Sequence, residues 1–241
     1  MMAKEKEQEN NPRNHCIRCG TCCLKGGPVL HHVDKKILLA GHIGYQHLVT
    51  IKKGEFALNP VSGKVEPTSQ EIIKVAGKGK DWSCIFFDEI TATCVIYENR
   101  PLECRLLKCW DTSELISVMG KNTIKRTDII NPGDPILAII DNHERECPYS
   151  EVDNLVAVLS REEHNTKLLE RLTELVRKDL AIRSYAFSEF GLKADFEFFI
   201  FGRPLFKILA AFGISVRLPK ELLQRYHLES ENISSTSVKI E

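Results

Sequence analysis

Cys16-Ile17-Arg18-Cys19-Gly20-Thr21-Cys22-Cys23 places four thiols in eight residues, and the reading of this octet decides how the rest of the chain is understood. Its neighbours are polar, so the cysteines are not there as small buried hydrophobes. Three of them follow C-x2-C-x2-C. That spacing lets one tight loop wrap three thiolates around a single inorganic centre. Gly20 suits such a loop, because it accepts positive φ and lets backbone N–H groups approach sulfur. Adjacent side chains diverge, so Cys22 and Cys23 are not expected to bind one metal together. One of them bridges, serves a second centre or stays free. In bacterial ferredoxin loops a remote Cys followed by Pro supplies a further ligand, and Cys147-Pro148 has that form.

Nine cysteines in 241 residues need a reason. Disulfides are the first competitor, and they require an oxidising compartment. The N-terminal stretch Met1 to Asn10 is charged and lacks the apolar run of a secretory signal. Nine is also odd, which leaves at least one thiol unpaired. A cytoplasmic protein with reduced thiols is expected. The most apolar stretch, Phe196 to Val216, is interrupted by Glu197, Arg203-Pro204 and Lys207, so no membrane span is expected. The 33 basic and 33 acidic residues cancel. That balance gives no electrostatic reason to expect nucleic acid as a partner. A hydrophobic fraction of 43% is enough for an ordinary core.

The pattern predicts an α+β fold: a small cysteine-cluster module of short strands and helices, then a mainly helical C-terminal part. Residues 1–13 and 229–241 are read as disordered tails. Residues 14–150 hold all nine cysteines and 151–228 hold none, which sets the boundary between module and helical extension. Asp34 is placed to cap a short helix, Lys35 to Ala40, ended by Gly41. Residues 46–75 read as strands and turns, with turn signals at Asn59-Pro60 and Ser62-Gly63. Residues 84–97 read as a hairpin with arms Cys84 to Phe87 and Thr93 to Tyr97. Pro101 opens a helix through Lys108, and Asp111 to Glu114 starts another that Gly120 stops. Ser160-Arg161-Glu162-Glu163 has capping-box form. It precedes Leu168, Leu172, Leu175, Val176 and Leu180 at helical spacing, a helix reaching about Ile182. Pro204 to Phe212 and Pro219 to Tyr226 are further helix candidates.

Cys84, Cys94, Cys104 and Cys109 form a second group of thiols. A hairpin feeding a short helix can converge the first three on one point. Arg100 and Arg105 are placed either to supply the positive charge that favours thiolates or to serve as plain surface charge. Cys109, beside Leu106 and Leu107, fits a packing role. The histidines lack an i, i+4 ligand pair, and exposure is the preferred reading for each, His15 included. Eight of the eleven Phe lie between Phe187 and Phe212. A core joining the two halves is preferred for them over a hydrophobic ligand pocket.

Four ordered blocks resemble a known family. They are the octet itself, Trp82-Ser83-Cys84-Ile85-Phe86-Phe87, the run Cys94-Val95-Ile96-Tyr97-Glu98-Asn99-Arg100-Pro101-Leu102-Glu103-Cys104-Arg105, and Cys147-Pro148. Together they resemble the CxxCxxCC family, the zinc- or iron-chelating domain of YkgJ-like cysteine cluster proteins. The resemblance covers about residues 14–150. It implies that Cys16, Cys19, Cys22, Cys23, Cys84, Cys94, Cys104 and Cys147 are the metal-associated set, with Cys109 outside it. An iron–sulfur cluster is favoured over zinc, because the compact three-thiol loop and the remote Cys-Pro differ from the C-x2-C pairs of zinc ribbons. Three functional classes follow: a redox or cluster-carrying protein, a zinc-stabilised module that contacts a protein partner, and an enzyme like the flagellin lysine N-methylases related to the family. The last is disfavoured. The chain has no glycine-rich loop suited to S-adenosylmethionine, and it lacks the C-x3-C-x2-C triad of radical enzymes, since position 26 is Gly26.

Overall fold

The computed structural model describes residues 14–59, 61–161, 165–226 and 238–240. Four strands come first: β1 (Leu48–Ile51), β2 (Phe56–Asn59), β3 (Lys64–Pro67) and β4 (Ile72–Val75). β1 and β4 pair antiparallel, Leu48 opposite Val75, and β2 pairs with β3 around the turn at Gly63. β1 reads Leu-Val-Thr-Ile and is buried along its whole length, as expected of a β-branched run covered on both faces. Four two-residue strands follow. β5 (Gly77–Lys78) pairs with β6 (Ser83–Cys84), and β7 (Phe87–Asp88) pairs with β8 (Thr93–Cys94). The expected hairpin is therefore divided. Cys94 faces Phe87, whereas Cys84 faces Gly77 in a separate ladder.

Helices frame these strands. α1 (Lys35–Leu39), α2 (Leu102–Leu106) and α3 (Ser113–Val118) are short. α4 (Ile136–Glu146), α5 (Tyr149–Leu159) and α6 (Thr166–Glu189) are long, and α7 (Glu197–Phe201), α8 (Leu205–Ala210) and α9 (Lys220–Arg225) close the helical part. The Asn165 side chain caps α6 by accepting from the Leu168 N–H. Ser160 ends α5 instead; the glutamates of the expected capping box lie outside the described residues. α6 also runs past Ile182 to Glu189. Residues 238–240, inside the expected C-terminal tail, form β10 (Val238–Ile240), which pairs parallel with β9 (Ile214–Val216). The expected tail at residues 1–13 lies outside the described residues. No helix among the described residues is long and apolar enough to cross a membrane.

Two main cores form, and they draw on both sides of residue 150. One contains Leu30, Ile73, Val75, Cys84, Phe87 and Ile124 together with Ala186, Phe199 and Phe201. The other joins Cys147 and Val152 to Leu172, Leu175, Val176, Phe206 and Leu209. Much of the Phe-rich stretch is thus core. Phe199 and Phe201 are fully buried, while Phe190 and Phe212 remain exposed.

A buried polar chain, absent from the sequence reading, links the halves. The Lys52 ammonium donates to His143 Nδ1 at 2.9 Å. His143 Nε2–H therefore donates to Asp179 Oδ1 at 2.6 Å. Asp179 also binds Arg183 at 2.9 Å and accepts from the Leu205 N–H at 3.0 Å. Arg183 continues to Glu197, which accepts from the Tyr226 hydroxyl. Arg183 stays charged beside Asp179 and Glu197, and Lys52 is pushed down by burial. His143 was expected at the surface and is instead fully buried. Burial holds its imidazole neutral, down at about 4 from an ordinary 6.5. The unfolded chain thus binds a proton at His143 that the folded chain refuses. This contribution to stability is complete above pH 6.5 and is lost as pH falls toward 4. We expect roughly 3 kcal/mol to disappear across that window. Urea unfolding at a series of pH values checks this. His143→Gln should flatten the pH 4 to 6.5 limb, and an unchanged slope would contradict the assignment.

Candidate metal centre

The N-terminal cysteine loop is docked rather than free. Gly20 is buried with φ +75°, and a Cβ there would sit 2.3 Å from the Phe87 ring. Only glycine meets both demands. Two residues earlier, Arg18 also adopts positive φ, at 56°. Its guanidinium lies 3.9 Å from the Tyr97 ring centroid, and that of Arg100 lies 3.6 Å from the same centroid. Two planar cations that close to one ring must occupy opposite faces, so Tyr97 is clamped between them. Past the octet, the helical turn Cys23–Lys25 packs on β6, which carries Cys84.

Buried carboxylates hold the next element. Glu103 accepts from the Val29 N–H at 2.7 Å and faces His31 Nε2 at 3.4 Å. Asp34 does not cap α1 with its side chain as the sequence suggested. It accepts instead from the His31 N–H at 3.0 Å and from the Leu102 N–H at 2.9 Å. The start of α2, and with it Cys104, is thereby tied to the segment that follows the cysteine loop. His31, expected to be exposed, is buried in this contact.

These restraints bring five thiols into one region. Cys84 is buried, Cys23, Cys94 and Cys104 are half-buried, and Cys22 stands at the surface. Charge on any of Cys22, Cys84 or Cys94 raises the Cys23 and Cys104 thiols. Cys22 Sγ lies 4.0 Å from Cys23 Sγ. The hydrogen bond from the Cys23 thiol holds Cys22 down at about 6, with Arg100 helping, and the same bond pushes Cys23 up. Burial raises Cys84 and Cys104. Arg105 turns to the Arg100 carbonyl and toward Asp34. None of Cys22, Cys23, Cys84, Cys94 and Cys104 is in a disulfide.

The other four are placed differently. Cys16 and Cys19 are exposed; the first accepts from the Arg18 N–H at 3.4 Å, and the second meets Thr21 Oγ1 at 3.2 Å. His15 is exposed beside Asn14, and Cys109 is exposed past α2. Cys147 is buried in the second core and donates to the Leu175 carbonyl at 3.7 Å. The groups acting on it are Asp179, Lys52, Arg183 and Lys178, not thiols. The eight cysteines implied by the resemblance are thus not all brought together.

An all-thiol donor set is soft and suits zinc or iron. Among the described residues no three His, Cys, Asp or Glu side chains already stand in ligating geometry. Arg18, Tyr97, Asp34 and Glu103 were not singled out as site-builders from sequence. The spacing of cysteines signals ligands, whereas clamps and buried carboxylates have no period of their own.

Residues 15–128 match the CxxCxxCC family, described as "Putative zinc- or iron-chelating domain". An uncharacterised protein of Methanocaldococcus jannaschii is 37% identical over 94 residues, which cover 38% of this chain and 42% of the relative. The chain thus spans less than half of that relative's length. No solved structure matches the chain.

The docked loop generates a direct expectation. Gly20→Ala should lift the loop from Phe87 and cost about 1–3 kcal/mol. Trypsin should then cut after Arg18 several-fold faster than in the parent. Equal cleavage rates would contradict the docking.

Proposed function

We propose that the chain holds a metal centre through Cys22, Cys23, Cys84, Cys94 and Cys104, with Cys16 and Cys19 on the loop that closes over it. The observation that supports this reading is the convergence of Cys22 and Cys23 from the loop, Cys84 from β6, Cys94 from β8 and Cys104 from α2 on one region, with none of the five in a disulfide. Its activity is to carry or use that centre in the cytoplasm, as a redox or cluster-carrying protein. The three-thiol loop supports an iron–sulfur cluster. The remote Cys-Pro gives no added support, because Cys147 packs in the second core. Four thiolates of the converging set also suit tetrahedral zinc. Anaerobic purification followed by metal analysis and a visible spectrum decides between the two. A colourless protein with stoichiometric zinc removes the redox role and leaves a zinc-stabilised module, and a protein with neither metal defeats the proposal.

Ligands and bystanders separate by substitution. Cys94→Ser and Cys104→Ser should each remove most of the bound metal. Cys109→Ser and Cys147→Ser should retain it, the latter with a loss of stability of about 1 kcal/mol from its buried site. Metal analysis of the four purified variants checks this; full metal in Cys104→Ser would contradict the assignment.

A further inference from the structure

We propose that the cleft between α1 and the segment leading into α2 binds a small organic monocarboxylate. The cleft is a cavity of about 290 Å3, lined by Lys36, Ile37 and His42 on one side and by Glu98, Asn99 and Arg105 on the other. Asp34 holds the two walls together, because it directly precedes α1 and accepts from the Leu102 N–H at 2.9 Å. Small-molecule sites begin at roughly 300 Å3, so this one suits a metabolite-sized guest. None of the six residues is a thiol, and the site does not depend on the metal centre.

The polar groups that line the cleft lack partners of their own. Lys35 pairs with Asp128 at 3.7 Å. The next residue, Lys36, has no ion pair or side-chain hydrogen bond among the described residues, and neither has the His42 ring. The Glu98 and Asn99 side chains are in the same position. Arg105 is held from one side only. Its Nη1 donates to the Arg100 carbonyl at 2.9 Å, and its Nη2 lies 3.9 Å from Asp34 Oδ1. Its Nε–H has no acceptor among the described residues. A guanidinium fixed in this way is a pre-organised donor for an oxyanion.

Charge selects the guest. Lys36 and Arg105 bring two positive charges and Glu98 one negative, so the lining is net positive by one. A single carboxylate balances that. A phosphate dianion overshoots it and is repelled by Glu98, while an amine meets two cations and one carboxylate. Asn99 adds a neutral donor. Ile37, buried in the wall, offers apolar surface to a short carbon chain.

Saturation-transfer NMR, observing butyrate added to the full-length protein as purified, tests this. Butyrate should bind with a Kd on the order of 1 mM. Propionate should displace it, and inorganic phosphate and n-butylamine should displace it poorly. Lys36→Gln should weaken binding about fivefold and Arg105→Gln about tenfold, whereas Glu98→Gln should tighten it. Lys35→Gln, outside the cleft, should change nothing. Lys36 and Glu98 are exposed, so their variants decide the matter should Arg105→Gln fail to fold. The proposal is overturned if butyrate does not bind, if phosphate or n-butylamine displaces it as well as propionate does, or if Lys36→Gln and Glu98→Gln leave its Kd unchanged.

Discussion

The candidate centre depends on the buried carboxylate of Asp34. One oxygen accepts from the His31 N–H and the other from the Leu102 N–H. Asp34 is completely buried, so leaving either N–H unpaired there would cost on the order of 1–3 kcal/mol. The segment after the cysteine loop is thus fixed to the first residue of α2, two positions before Cys104. Glu103 repeats the connection through Val29. The loop itself is pinned on its other side by the Phe87 ring and by the stacking of Arg18 on Tyr97. Thiols far apart in sequence become neighbours through these few polar and aromatic contacts.

The two ends of the molecule use buried charge for different purposes. Around the thiols, the hydrogen bond from Cys23 and the charge of Arg100 hold Cys22 down. Between the two halves, Lys52, His143, Asp179, Arg183 and Glu197 satisfy one another in a buried chain. Removing one member of such a chain leaves a partner buried and unpaired, which is far costlier than the net worth of the intact set. That chain crosses from Lys52, just past β1, to α4, α6 and α7 and ties the helical part to the first core. It offers no open thiol or free ligand, and its role is architectural.

The cysteine octet was legible because thiol density has no packing explanation. The α+β class was legible because capping residues and apolar periodicity act locally, as for α6 with its buried Leu172, Leu175 and Val176. The division of the hairpin was not legible. Cys84 and Cys94 both read as strand residues, and whether they share a ladder is settled by Gly77, which pairs with Cys84 from outside the proposed hairpin. Cys147 was misleading for a similar reason. A Cys-Pro pair has the form of a cluster ligand, but its neighbours Tyr149, Val152 and Leu175 draw it into the second core. His31 and His143 escaped because a buried histidine is defined by partners distant in sequence, here Glu103 and Asp179.

What remains is whether the converging thiols hold a metal as thiolates. X-ray absorption at the metal edge, on protein purified without oxygen, counts the atoms bound to the ion. A site built as described gives a ligand sphere of sulfur only, at about 2.3 Å. A sphere dominated by oxygen or nitrogen would place the metal elsewhere in the chain and contradict the cysteine-cluster account.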